Sequence, residues 1–332
     1  MLSKLIEGSI RYRWAVIALT GILVVVGVIS LRELPIDAFP DTTPVLVQIN
    51  TDVPSLSPLE IEAQVTFPIE QEIAGLPGLE EVRSISKFGL SQVTAIFEEG
   101  VDLYFARYLI SERLQAVELP DGIPRPTLGP VATGLGEIFH YRIVGDGRTI
   151  RELRTIHDWI IKPQLRSVAG IAEVNTWGGE ERQVQVVIDP QRLLKYDLTF
   201  QDVFAALERN NRNVGGGIVS TGEAQLVQGA GILTSRSDVA RVIVAARDGV
   251  PIRLEEIAVV RDGAAIRRGA VTAEGEGETV LGLAFMLMGE NSHEVAGLVR
   301  ERIEQIEPSL PDGVRIVPVY DRTDLVDEVL HT

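Results

Sequence analysis

Hydrophobic positions along this chain follow two spacings in turn, which predict strands and helices. VLVQINT (45–51) alternates apolar and polar residues, as a half-buried strand does. Apolar residues then recur every fourth position from Val65 to Ile73, which predicts a helix with one face on a sheet. EVRSIS (81–86) and SQVTAIFEEG (91–100) follow as two strands with a tight turn between them. The pattern predicts an α+β domain.

Helix boundaries are marked by short local signals. SPLE (57–60) and TIRE (149–152) each predict a capping box, in which a hydroxyl and a glutamate bond reciprocally to backbone N–H groups. Asp102 is the expected N-cap of a further helix, which LPDG (119–122) ends. Pro68 lies inside the helix from Ser57 and is expected to kink it.

One long apolar segment precedes this pattern. Trp14 to Leu31 are 18 consecutive residues without a charge, about 27 Å as a helix, which is close to the hydrocarbon thickness of a bilayer. Lys4, Arg11 and Arg13 precede it, so the positive-inside rule predicts a cytoplasmic N-terminus. A cleavable signal peptide is the alternative, but no A-x-A-like site follows. Without an ionisable residue, the span itself holds no proton-coupling group.

Parts of the first domain recur later. IEQEIAGLPGLEEVRSIS (69–86) aligns without gaps on IKPQLRSVAGIAEVNTWG (161–178), and ERLQAVELPDGI (112–123) resembles ERIEQIEPSLPDGV (301–314). Both echoes combine a helix end, a turn and a strand, which predicts a duplicated module of split βαβ, ferredoxin-like type. Chance similarity of short stretches is the alternative.

The second copy is interrupted by residues 181–272, which include a glycine-rich arm (211–231). Two extended runs flank STGE (220–223) in the arm, so a β-hairpin is expected there. Long arms of this kind are commonly functional or lie against another chain. YDRTDLVDEVLHT (320–332) begins a helix, with Thr323 as the expected N-cap, and the chain looks truncated within it.

Composition narrows the function classes. The chain has 31 Lys and Arg against 47 Asp and Glu, a formal net charge of −16, which disfavours nucleic acid and attracts cations. Acidity that merely keeps a periplasmic domain soluble is the plainer interpretation. Cysteine is absent, so there is neither a disulfide framework nor a thiolate metal site, and the redox compartment stays open.

Motifs for catalysis are missing. The four histidines lie in separate predicted elements, without HExxH. Met286 and Met288 share a strand face, where thioethers either bind a soft cation or form sheet core. TGLGE (133–137) lacks the GxGxxG spacing, and no GxSxG elbow occurs. The sequence therefore indicates no enzyme, no cofactor and no metal site in this fragment.

Several stretches together resemble one known family, the heavy-metal-efflux branch of the resistance-nodulation-division (RND) permeases, and in particular the cobalt-zinc-cadmium type. The resemblance covers the whole chain in order, about the first third of such a permease. It rests on LPIDAFPDTTPVLVQINTDVPSLSPLEIEAQVTFPIE, GLPGLEEVRSISKFGLSQVTAIFEEGVDLYFAR, GPVATGLGEIF, IIKPQLRSVAGIAEVNTWGG, ALERNNRNVGGG, FMLMGENS and VPVYDRTDLV.

The resemblance implies a division of the chain. Its parts would be the cytoplasmic N-terminus with the first transmembrane helix (1–33), a first porter subdomain (34–134), a second porter subdomain (135–180 with 273–330), an inserted docking subdomain (181–272, arm 211–231) and the start of the second transmembrane helix (323–332). It also implies a homotrimer in the bacterial inner membrane, with its bulk in the periplasm, that works with a periplasmic adaptor and an outer-membrane channel. The helix from Asp102 would line the central pore, and transport would use proton antiport.

The same resemblance suggests few site residues here. Arg83 matches a position that can face the porter cleft, and Thr133 to Glu137 lie where the chain passes between the porter modules. Ion-paired structural roles are the alternative for Arg83 and Glu137. The proton-relay carboxylates and most substrate contacts of the family would lie beyond Thr332.

Other functions remain open at this point. An RND permease for organic or drug substrates, a singly anchored periplasmic module that binds a partner, and a ligand sensor or enzyme built on ferredoxin-like modules all accommodate the chain. The coding DNA beyond Thr332 discriminates among them, since a permease requires further membrane helices. Composition does not rank zinc, cobalt, cadmium, copper or nickel.

Overall fold

The computed structural model describes residues 10–32, 43–53, 56–213, 218–220, 224–226, 231–247, 249–267 and 269–331. Its helices are α1 (Arg13–Arg32), α2 (58–73), α3 (Leu103–Leu114), α4 (150–166), α5 (Pro190–Tyr196), α6 (Phe200–Asn210), α7 (Arg236–Ala240), α8 (Leu254–Ile257), α9 (Ser292–Ile306) and α10 (Arg322–His331). Its strands are β1 (Leu46–Val53), β2 (Leu79–Lys87), β3 (Gly89–Phe97), β4 (Thr127–Leu128), β5 (Glu137–Gly145), β6 (Ile171–Gly178), β7 (Arg182–Ile188), β8 (Ile218–Ser220), β9 (Ala224–Leu226), β10 (Ile243–Arg247), β11 (Val250–Arg253), β12 (Ala258–Ala264), β13 (Val271–Thr272), β14 (Glu278–Met286) and β15 (Val314–Asp321).

The predicted apolar segment forms one helix, α1. Its window Arg13–Ser30 has a mean hydropathy of 2.1 and no buried residue, and it is long and apolar enough to cross a membrane. Most of the proline-rich exit that follows (34–44) lies outside the described residues. The chain divides into two compact units: the first contains 1–143, 160–176 and 281–332, and the second contains 144–159 and 177–280.

In the first unit, β1 to β4 form an antiparallel sheet in the order β2-β3-β1-β4. Side chains alternate in and out along β1, and Val47, Ile49 and Val53 are buried. The core they enter also holds Ile69 of α2 and Ile110 of α3. The period-four pattern of the sequence therefore marks a real buried face.

The first helix of this sheet contains a wide turn where the sequence predicts a kink. α2 runs Pro58–Ile61, then a π-helical turn Glu62–Thr66, then Phe67–Ile73. Pro68 has no N–H to donate within the helix, and a π turn just before it accommodates the missing bond. α4 repeats the device, with a π turn His157–Ile161 just before Pro163.

A second set of strands repeats the first. β5, β6, β14 and β15 lie in the order β6-β14-β5-β15, and β13 pairs with β14. We name residues 46–128 the first module, and 137–178 with 278–321 the second module. When the strands of each module are numbered in chain order, both sheets have the order 2-3-1-4. The internal sequence similarity therefore reflects a repeated arrangement of strands.

The glycine that precedes the second strand is equivalent in both modules. Gly78 has φ +73° and Gly170 has φ +82°, a backbone region that disfavours other residues. A Cβ atom would lie 2.9 Å from Val101 at Gly78, and 2.6 Å from Val295 at Gly170. Conformation and close packing both therefore require glycine here.

In the second unit, β7 pairs antiparallel with β12 and β10 with β11. A small core of its own contains Leu193, Val203, Ala206, Val242, Val244, Ile252, Leu254, Ile257 and Ala258. The hairpin expected in the arm is confirmed, because Ile218 pairs with Leu226 and Ser220 with Ala224. The other arm residues, 214–217, 221–223 and 227–230, are outside the described part.

Two expectations for the later strands and the last helix are settled by burial and by hydrogen bonds. Met286 is 6% exposed, which supports its interpretation as sheet core. The prediction of Thr323 as N-cap is wrong, because α10 begins at Arg322 and Asp321 Oδ1 accepts from the backbone N–H of Thr323 at 2.9 Å. Aspartate competes well for this position, since its carboxylate satisfies a free N–H group of the first turn.

Candidate functional site

Arg83 lies on β2, an edge strand of the first sheet, and its guanidinium is already paired. Its Nε donates to Glu81 Oε1 at 2.9 Å and its Nη2 to Glu81 Oε2 at 2.8 Å. The side chains are 68% and 50% exposed. The hydrogen bonds from Arg83 lower the pKa of Glu81, and those to Glu81 raise the pKa of Arg83. The pair is a two-bond, solvent-facing ion pair.

Cross-strand register gives Arg83 polar neighbours. Arg83 is opposite Thr94 of β3, and Thr94 is opposite Gln48 of β1. Gln48 Nε2 donates to Asn50 Oδ1 at 3.0 Å. These residues share the sheet face opposite the core, because side chains alternate along a strand. That face is a polar surface of amide, hydroxyl and guanidinium groups.

Thr133 and Glu137 bracket a short turn that leads from the first module into the second. Thr133 is 8% exposed, and its carbonyl accepts from Gly136 N–H at 3.0 Å to close the 3₁₀ turn Gly134–Gly136. A Cβ on Gly136 would lie 3.2 Å from the carbonyl oxygen of Met286. We call residues 131–137 the crossover segment. Thr133 and Glu137 are the residues on either side of this turn, whereas Arg83 lies on β2.

Glu137 begins β5, and its carboxylate lies beside an imidazole. Glu137 Oε2 is 3.3 Å from His140 Nε2, and the ring of Tyr320 lies 5.1 Å from the His140 ring, centroid to centroid. His140 Nε2 is buried and makes no hydrogen bond to any described residue. Two ligands of a tetrahedral zinc ion, with bonds of about 2.1 Å, lie about 3.4 Å apart. The pair has the spacing and the atom types to bind one borderline cation.

Sequence reasoning did not single out His140. Glu137 and His140 are three residues apart, and residues with that separation normally point to opposite faces of a regular strand. Here Glu137 is the first strand residue and follows a 3₁₀ turn, which places its side chain outside the regular alternation. Among the residues described, no group of three or more His, Asp and Glu could hold a metal ion.

Nearly the whole length of this chain is similar to one family of known proteins. The model described as the AcrB/AcrD/AcrF family matches residues 5–332. The chain belongs to this family. This chain is similar to "Protein HelA" of Legionella pneumophila, which is 47% identical over 100% of this chain. The "Cobalt-zinc-cadmium resistance protein CzcA" of Cupriavidus metallidurans is 45% identical, also over 100%.

Solved structures agree with this membership. A structure described as "X-ray crystal structure of a heavy metal efflux pump, crystal form I" matches with a TM-score of 0.86 and 32% identity over 96% of this chain. The chain spans about a third of each protein, 32% of HelA, of CzcA and of the solved pump. The resemblance to the heavy-metal-efflux branch of the RND permeases, inferred from the motifs, is confirmed.

Proposed function

We propose that this chain forms the N-terminal third of an inner-membrane permease that exports divalent or soft metal cations by proton antiport, and is not part of an enzyme. The observation that carries the proposal is the match of this whole chain to about a third of a relative named for cobalt, zinc and cadmium resistance. A span-length apolar helix and an acidic composition support a membrane protein that handles cations.

We further propose that the two modules are ferredoxin-like porter subdomains. Each follows the order β-α-β-β-α-β, with strand order 2-3-1-4. The proposed boundaries are those of the sequence: 1–33, 34–134, 135–180 with 273–330, 181–272, and 323–332. Repeated modules that frame a transport path agree with the repeat architecture of secondary transporters.

Within this scheme the Glu137 carboxylate, beside His140, is the group of this chain that contacts the exported cation. Both atoms are ligand types of zinc, and their 3.3 Å separation fits neighbouring ligands of one ion. Thr133 positions the turn that presents Glu137. Arg83 lines the approach as a paired charge, so its influence on cations is weakened by Glu81.

The partners proposed are two further copies in a homotrimer, a periplasmic adaptor and an outer-membrane channel, with the bulk of the fragment in the periplasm. Exposed aromatic residues on α3 support an interface along that helix: Tyr104, Phe105 and Tyr108 are 62%, 51% and 66% exposed. Contiguous aromatic surface of this kind is typical of interfaces.

Metal resistance tests the proposal. The complete permease is expressed in a bacterial strain that lacks its own metal exporters, and growth is measured against zinc, cobalt, cadmium, copper and nickel salts. We expect resistance to at least one metal. Glu137→Gln should lower that resistance, while Glu208→Gln on the exposed face of α6 should leave it unchanged. Resistance to detergents or drugs without any metal phenotype would contradict the metal assignment.

A further inference from the structure

The crossover segment is held by contacts from two distant parts of the first unit. The backbone N–H of Met288, just after β14, donates to the Val131 carbonyl at 3.2 Å. Arg322 Nη1, from the first residue of α10, donates to the Leu135 carbonyl at 2.6 Å. The second contact joins residues 187 positions apart in sequence. The start of α10 therefore bonds directly to the turn that presents Glu137.

The arginine that makes this contact is buried. Arg322 is 3% exposed. Burying a guanidinium is costly unless its N–H groups are hydrogen-bonded, and an apolar residue in its place would leave the groups that it bonds without a donor. What an apolar residue does not supply is a directed donor to a particular carbonyl. Arg322 is thus a buried donor directed at one carbonyl of the crossover segment.

The other groups at the start of α10 fix its direction. Asp321 accepts at Oδ1 from the N–H and hydroxyl of Thr323, at 2.9 and 2.6 Å, and at Oδ2 from Arg300 Nε of α9 at 2.9 Å. Val326, one turn later, is 1% exposed. The first turn of α10 is therefore attached to α9 as well as to the crossover segment.

The middle of the crossover turn, Gly134 and Leu135, packs loosely against the rest of the unit. Gly134 has no atom within 4 Å of where a Cβ would be, and Leu135 is 42% exposed. Glycine gives the backbone more freedom than any other residue, so an external donor matters most at such a place. Leu135 lies two residues before Glu137. A shift of the Leu135 carbonyl therefore moves the backbone of Glu137 as well.

We propose that Arg322 is a positioning residue that ties the crossover segment, and with it the Glu137 carboxylate, to the orientation of α10. This rests on the proposed function, in which α10 leads into the second membrane helix. A reorientation of that helix then moves the candidate cation contact through the Arg322 side chain.

Transport kinetics of the complete permease test the proposal. Zinc uptake into proteoliposomes with an imposed proton gradient is measured per folded trimer for Arg322→Gln, Arg322→Lys and the exposed control Arg315→Gln on β15. We expect Arg322→Gln to lower kcat about tenfold with KM within about twofold, because cation contacts persist while their movement is lost. Arg322→Lys, which keeps a donor, should recover most of kcat. Glu137→Gln should instead raise KM.

Two kinetic outcomes overturn the inference: wild-type kcat in Arg322→Gln, or a rise in KM alone. A lower yield of folded trimer with normal kcat per trimer indicates a structural role and also overturns it. If the wild-type permease moves no metal, the proposed function fails, and hydrogen exchange decides the inference separately. Arg322→Gln should then speed exchange about tenfold in both 133–137 and 322–326, and not in 200–210. Unchanged exchange in either of the first two segments refutes the tie.

Discussion

The first and second modules use the same backbone signals and different side chains. In both, a capping box starts the first helix, a π turn precedes a proline within it, and a left-handed glycine precedes the second strand. The pair that fills the sheet centre differs. Ile49 of β1 is opposite Val93 of β3, whereas Tyr141 of β5 lies directly over Gly282 of β14.

The two pairs occupy matching positions in their modules. Val93 and Gly282 are each the fifth residue of their strand, and Ile49 and Tyr141 are both fully buried. In the first module two medium-sized side chains fill the sheet centre. In the second module one large ring fills it opposite a glycine. Since interiors are close-packed, the large ring in the second module requires a glycine opposite it, whereas the smaller Ile49 leaves room for Val93.

The largest expected effect comes from a larger side chain at Gly282, opposite the Tyr141 ring. A Cβ on Gly282 would overlap the Tyr141 ring, and the ring has no exposed side to move toward. Gly282→Val should therefore lower the free energy of unfolding by about 3 kcal/mol, at the upper end of overpacking effects. Thermal and urea unfolding of the purified protein in detergent measure the change.

The control introduces the residue pair of the first module into the second module. Tyr141→Ile together with Gly282→Val recreates the pair Ile49 and Val93, and should recover more than half of the loss. Additive destabilisation in the double variant would show that the two sites are not one shared volume.

The modules also differ where their last strand ends. β4 has two residues, and beside it Arg107 of α3 donates to the Gly129 carbonyl at 2.8 Å. β15 has eight residues and ends in Asp321, which is bonded to Arg300 of α9. Burial lowers the pKa of Arg107, whereas the hydrogen bond to Asp321 raises the pKa of Arg300. Among the residues that the structure describes, the charge pair at a strand end belongs to the second arrangement.

Removing Arg300 should have an intermediate effect. Arg300→Gln leaves the Asp321 side chain, 5% exposed, with the Thr323 contacts alone. We expect a loss of about 1 to 2 kcal/mol, less than for a buried pair because the Arg300 side chain is 47% exposed. Unfolding of Arg300→Gln beside Arg315→Gln measures it, and equal losses in the two variants would contradict a specific role for the pair.

The sequence predicts the repeated elements well because their signals are local. Ser57 and Thr149, Asp102 and Pro68 each act within one helical turn, and the structure places a cap or a wide turn at each. Contacts between distant residues leave no such pattern. The Arg322 bond to Leu135 depends on the packing of the whole unit, and the meeting of Glu137 with His140 depends on an irregular strand start.

The smallest expected effect is a difference between the two capping boxes in how far a substitution raises the carboxylate pKa. The pKa values of Glu60 and Glu152 are both lowered, mainly by the Ser57 hydroxyl at Glu60 and mainly by the Thr149 backbone N–H at Glu152. A lowered carboxylate pKa stabilises the fold above the ordinary value of 4.5, and this contribution is lost as pH falls through the lowered value. Ser57→Ala should therefore raise the pKa of Glu60 clearly. Thr149→Ala keeps the N–H group and should raise the pKa of Glu152 less. Carboxyl carbon NMR titration from pH 6 to 2 measures both, and a larger rise at Glu152 would reverse the assignment of the two causes.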